Sequence, residues 1–144
     1  MPVFFHSADH PYRCPHKKLI KRWLQGVVDH EKKTLGEISI VFCSDAYLLT
    51  INQDYLQHDY FTDIITFDYT EGDTIIGELY ISIDRVKDNA IQHKQLFYRE
   101  LCRVMVHGVL HLLGQTDKTD KEKTKMRRQE NFWLDALNKT MVHA

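Results

Sequence analysis

The sequence predicts an α+β fold: a single domain over residues 1–144, built as one four-stranded mixed sheet with helices packed on it. Three observations carry that reading. The chain has 144 residues, the length of one ordinary domain and enough to bury a core without disulfides. Its apolar residues change period along the chain, from strand-like runs to three-and-four spacing and back, in the order βαβαββααα. The central strand segments are strongly apolar, as strands covered by packed layers are.

Taken in order, Val3-Phe4-Phe5 predicts a short first strand, ended by the polar cluster His6 to Pro15. Pro15 opens a helix from about His16 to Lys33, in which Leu19, Ile20, Trp23, Leu24, Val27 and Val28 fall on one face. Gly36 is expected to close it. Glu37 to Cys43 alternates and then turns apolar, which predicts a buried strand. Ser44 or Asp45 can cap a second helix to about Tyr55, with Ala46, Leu48, Leu49 and Ile51 inward. A polar loop, Gln57 to Asp63, leads to a strand at Ile64 to Tyr69. Glu71-Gly72-Asp73 is turn chemistry, and Thr74 to Ile83 is the returning strand of a hairpin. Asp84 is expected to start a helix to about His93. A longer, more apolar helix spans about Phe97 to Leu113 and stops at Gly114, and a last helix contains Met126, Phe132, Trp133 and Leu137.

Composition narrows the class of protein. Hydrophobic residues make up 43% and charged residues 27% of the chain, and the formal net charge is −1. That balance gives no global argument for nucleic acid, which usually leaves a basic excess. The charge is uneven, however. No Lys or Arg occurs between Thr34 and Asp84, a stretch that carries ten acids; the cations gather at Lys17 to Arg22 and Lys118 to Arg128. Those ends read first as two solvated helix faces. Cys14, Cys43 and Cys102 form no disulfide framework, which points to a reducing compartment. The N-terminus lacks the charged start and apolar run of a secretory leader. No stretch approaches the ~20 apolar residues of a membrane span. A cytoplasmic protein without membrane contact is expected.

The chemistry is concentrated in His107-Gly108-Val109-Leu110-His111-Leu112-Leu113-Gly114-Gln115-Thr116-Asp117. Histidines four apart on a helix stand on one face about a turn apart, so both can reach one ion at ~2.0–2.1 Å. Gly114 lets the helix stop abruptly, and Asp117 then falls where the returning loop can bring a third ligand. Two imidazoles, a carboxylate and an open fourth position suit a catalytic zinc site at the end of a buried helix, with other divalent transition metals as alternatives. Zinc proteases of related spacing place a glutamate after the first histidine as general base. Here that residue is Gly108, which cannot accept a proton. The other histidines lack ligand spacing, and no protein general base is identified.

These motifs make the chain resemble the YbeY family, bacterial single-strand-specific endoribonucleases and ribosomal RNA maturation factors. Ile51-Asn52-Gln53-Asp54-Tyr55, Asp59 to Phe67 and Gly77-Glu78-Leu79-Tyr80-Ile81-Ser82 are similar to further blocks of that family, in order. The resemblance implies a zinc-dependent endoribonuclease of rRNA maturation and ribosome quality control, with ribosomal RNA and the small ribosomal subunit as partners and no DNA. Three departures stand out. Asp117 replaces the family's third histidine. Leu56 falls where the family has an arginine that matters for cleavage, and His58 where it has a lysine. Phe61 replaces a proline. The loop His58 to Asp63 is expected to line the cleft, with His58 and Asp63 as substrate contacts, and RNA would approach along the basic ends. Two rivals remain: a non-catalytic ribosome-assembly factor with a structural metal, and a metallopeptidase-like hydrolase.

Overall fold

A computed structural model describes residues 2–56 and 62–143. Its elements follow the expected order: β1 (Val3–Ser7), α1 (Lys17–His30), β2 (Thr34–Cys43), α2 (Asp45–Leu56), β3 (Ile64–Asp68), β4 (Thr74–Ser82), α3 (Ile83–Gln92), α4 (Phe97–Leu112) and α5 (Asp120–His143). The strands form one sheet in the order β1-β2-β4-β3. β1 and β4 flank β2 in parallel, while β3 returns antiparallel to β4 as the predicted hairpin, so the sheet is mixed. The expected α+β architecture of four strands with packed helices is the one observed.

One face of the sheet carries the main core. Ile38, Ile40 and Phe42 of β2 and Leu79 and Ile81 of β4 meet Leu24 and Val27 of α1 and Leu101, Met105 and Val109 of α4, all fully buried. Two glycines set how closely α4 sits. A Cβ on Gly77 would lie 2.6 Å from a methyl of Leu112 and 2.9 Å from the Phe67 carbonyl oxygen; one on Gly108 would lie 2.8 Å from Ile64 and 2.9 Å from Leu79. Position 108 therefore faces the sheet. The glycine that replaces the protease glutamate is a packing residue, with no room there for a base.

Several boundaries differ from the sequence reading, each for a physical reason. α1 stops at His30, and Lys32 takes a left-handed φ of 58° in the turn that follows. Gly36 does not close that helix. It lies inside β2 at a register shift against β4, where a Cβ would come 2.7 Å from Thr74. β4 ends at Ser82, whose hydroxyl caps α3 by accepting the Arg85 N–H at 3.0 Å, so Ser82 and not Asp84 begins the helix. Ser44 does cap α2, accepting the Tyr47 N–H at 3.1 Å. On α2, Ala46 is exposed and Asn52 is buried in its stead, because the helix rests on a narrow strip through Leu48 and Ile51. Cys14 is buried along with Cys43 and Cys102. No helix among the described residues is long and apolar enough to cross a membrane.

Candidate metal centre

On α4, residues four apart share a face, and Arg103, His107 and His111 form such a row. Gly114, at φ 94°, reverses the chain while its N–H and that of Gln115 close onto the carbonyls of His111 and Leu110. The loop that carries Asp117 is then fixed from below by Glu122. Its carboxylate accepts the N–H groups of Lys118 and Thr119 and the Thr116 hydroxyl, while Thr119 accepts the Glu122 N–H at 3.1 Å. This reciprocal cap starts α5 and holds Asp117 over the end of α4.

The three predicted ligand residues meet. His107 Nε2 lies 2.9 Å from His111 Nε2 and 3.4 Å from Asp117 Oδ2, and His111 Nε2 lies 3.5 Å from Asp117 Oδ1. Donors at ~2.0–2.1 Å from a tetrahedral ion stand about 3.4 Å apart. The opposite ring nitrogens are already engaged: His107 Nδ1 with Glu130 Oε2 at 2.7 Å, and His111 Nδ1 with the Gln115 carbonyl at 2.9 Å. With both Nδ1–H groups donating, the two Nε2 lone pairs converge on the point that the Asp117 carboxylate also faces. Two lone pairs so close are repulsive unless a cation or proton lies between them, and this donor set therefore fits a divalent ion.

Glu130 and Arg103 are the site residues that the sequence reading missed. Glu130 is 5% exposed, and its second oxygen accepts from Arg103 Nη1 at 2.9 Å; Arg103 also donates to Asn131 Oδ1 at 2.8 Å. The signal was present on both helices. Arg103 precedes His107 by four, and Glu130 interrupts the apolar row Met126…Leu134 of α5. Burial works against the Glu130 carboxylate, but its bonds to His107 and Arg103 hold it below the usual range. Burial likewise disfavours a charged His107, yet Glu130, Asp117 and Asp63 outweigh it and leave the imidazole raised.

These groups line a cleft of about 920 Å³, bounded by β3, α4 and α5. Asp63 stands in its wall, held by Asn89 Nδ2 at 3.2 Å, with its carboxyl pushed up by burial. Leu56 also lines it, while His58 falls outside the described residues. Of the basic residues of α5, Lys123 and Arg127 reach the cleft; Lys121, Lys125 and Arg128 do not line it.

The chain is similar to known proteins along most of its length. A sequence model of the family described as Endoribonuclease YbeY matches residues 6–138. A relative named Endoribonuclease YbeY from Cytophaga hutchinsonii is 48% identical over 133 residues, covering 92% of this chain and 93% of its own. One of the same name from Parabacteroides distasonis is 44% identical over 137 residues, with 95% and 96% covered. The solution structure of TM1509 from Thermotoga maritima superposes with a TM-score of 0.67 at 25% identity, covering 94% of this chain and 88% of that one. With relatives this similar along nearly its whole length, the chain belongs to the Endoribonuclease YbeY family.

Proposed function

We propose that this chain is a zinc-dependent, single-strand-specific endoribonuclease of rRNA maturation and ribosome quality control, acting in the cytoplasm on ribosomal RNA and the small ribosomal subunit. The whole of residues 1–144 forms its catalytic unit, and one ion is held by His107, His111 and Asp117. The observation that carries the reading is the convergence of two Nε2 atoms, whose rings are already bonded through Nδ1, with the Asp117 carboxylate. When bound, the ion supplies Lewis acidity, lowering the pKa of its water or polarising a phosphate oxygen.

The chain's own residues do the rest. Glu130 fixes the His107 tautomer and ring plane, and the Gln115 carbonyl does so for His111. Lys123 and Arg127 present cations to the same cleft and take phosphate oxygens, the role open at Leu56. Asp63, in the cleft wall beside β3, contacts the strand, and His58 is kept as the second substrate contact. A cleft between β3 and the helices supports single-strand preference, since bases of a duplex would have to leave their stack to enter it.

The test is cleavage of a single-stranded RNA and its duplex by zinc-loaded protein. The single strand should be cut, the duplex spared, and His111→Ala should be inactive while folded. Binding to ribosomal particles with no cleavage by the loaded enzyme would instead favour the assembly-factor reading, for which Leu56 is the specific motive.

A further inference from the structure

One buried acid of the cleft lacks a partner. Glu100, in the first turn of α4, is 4% exposed and lines the cleft. Among the described residues its carboxylate accepts no hydrogen bond, and His93 Nδ1 stands 3.8 Å away, beyond such reach. Leaving both oxygens of a buried carboxylate unsatisfied costs folding stability, so the position calls for donors from outside the chain. Helical period puts Glu100 on the same face as Arg103 and His107, two turns or about 10 Å along the axis from His107. That is close to the reach of a nucleotide from its phosphate to its base.

The surroundings of Glu100 are polar. Asn89 and the C-cap residue His93 lie one turn apart at the end of α3, and both line the cleft. Asn89 Nδ2 gives one N–H to Asp63 at 3.2 Å and carries a second. Arg103, between Glu100 and His107, is engaged by Glu130 and Asn131, and the cations Lys123 and Arg127 come from α5. A bound cation is the first alternative for two acids in one cleft. Yet the one group of three described side chains with ligand atoms within 4.8 Å of one another is His107, His111 and Asp117. Asp63, His93 and Glu100 are too spread to close on an ion, whereas a planar base carries its polar atoms along an extended edge.

We propose that Glu100 reads guanine: its carboxylate accepts the N1–H and N2–H of an unstacked guanine beside the scissile linkage. The inference rests on the nuclease activity proposed above. Two parallel donors on one edge match the two oxygens of a carboxylate bidentately. Among the four bases guanine alone has them on its Watson–Crick edge. Uracil has one N–H between two carbonyls, and adenine and cytosine set an amino group beside an acceptor nitrogen. The second N–H of Asn89 is available to the guanine O6, and the half-exposed ring of His93 offers a face for stacking.

The test is fluorescence anisotropy of the zinc-loaded protein, read on ice before turnover, with labelled oligouridines carrying one central guanosine, inosine, adenosine or no substitution. The guanosine probe should bind about tenfold or more tightly than the adenosine and plain probes, the discrimination of one bidentate pair. Inosine, which lacks the N2 amine, should fall between. Glu100→Gln keeps the shape but offers one acceptor and one donor, so the guanosine advantage should drop below about twofold while adenosine gains. Glu100→Asp, which retains the carboxylate, should keep part of the preference. Equal affinity of the unaltered protein for the guanosine and adenosine probes would overturn the proposal. So would a guanosine preference that survives Glu100→Gln, since a merely structural glutamate would weaken every probe alike. Cleavage of the same probes is scored separately. Guanosine-selective binding without cleavage would sink the nuclease activity and support the base contact; cleavage with no preference in binding would do the reverse.

Discussion

Glu130 of α5 accepts the Nδ1–H of His107 of α4 at 2.7 Å, across 23 residues of sequence. This bond decides which nitrogen of His107 is left to face the candidate metal position. It also ties the site to the packing of two helices, since the same carboxylate receives Arg103.

Replacing Glu130 should separate those two roles. Glu130→Gln keeps the shape and should weaken zinc affinity by roughly 10–100-fold, as loss of a partner behind a ligand does. Glu130→Ala also strands Arg103, whose side chain is 13% exposed, and should destabilise the fold by about 3–5 kcal/mol. Chelator competition reads the first effect and urea unfolding the second.

The same pair sets a pH signature in the metal-stripped protein. Glu130, depressed in the fold, contributes stability above its unfolded pKa of ~4.3, and that contribution is lost as pH falls through the lower folded value. His107, raised in the fold, contributes fully below its unfolded pKa of ~6.5, and loses that contribution as pH rises through the higher folded value. The thermal midpoint should therefore be highest at roughly pH 4.5–6.5. His107→Ala should flatten the alkaline limb.

Gly108→Glu should not convert the site into a peptidase. The new side chain would enter against Ile64 and Leu79 and bury a carboxylate among methyls. A loss of more than about 3 kcal/mol is expected by thermal or urea denaturation, with no peptide turnover.

Lys123 and Arg127 are singled out from the basic run of α5 by the cleft they line. Replacing either with Ala should lower single-stranded RNA affinity and reduce the slope of log affinity against log salt by about 0.7. Lys121→Ala and Lys125→Ala should change that slope less. Anisotropy across a salt series measures all four.

What could be read from the sequence was what is local. His107, His111 and Gly114 lie within two turns and a reversal, so helical period alone places them, and the capping loop then delivers Asp117. Glu130 escaped because its partner is on another helix; only its intrusion into an apolar row betrays it. Gly36 was misread for a related reason. A glycine after a helix suggests a stop, but here the approach of Thr74 from β4 requires it. The two extra residues of β1, His6 and Ser7, are polar, and they extend because Val41 and Phe42 of β2 offer them a parallel partner. Pairing of that kind leaves no periodic trace.

The most direct test of a zinc nuclease centred on His107, His111 and Asp117 is a titration of chelator-stripped protein with zinc, following cleavage of a single-stranded RNA. Cleavage should be absent at the start, rise with added zinc and level off near one equivalent per chain, and His111→Ala should show no such rise. Full cleavage by the stripped protein, or none at saturating zinc with the fold intact, would contradict the account.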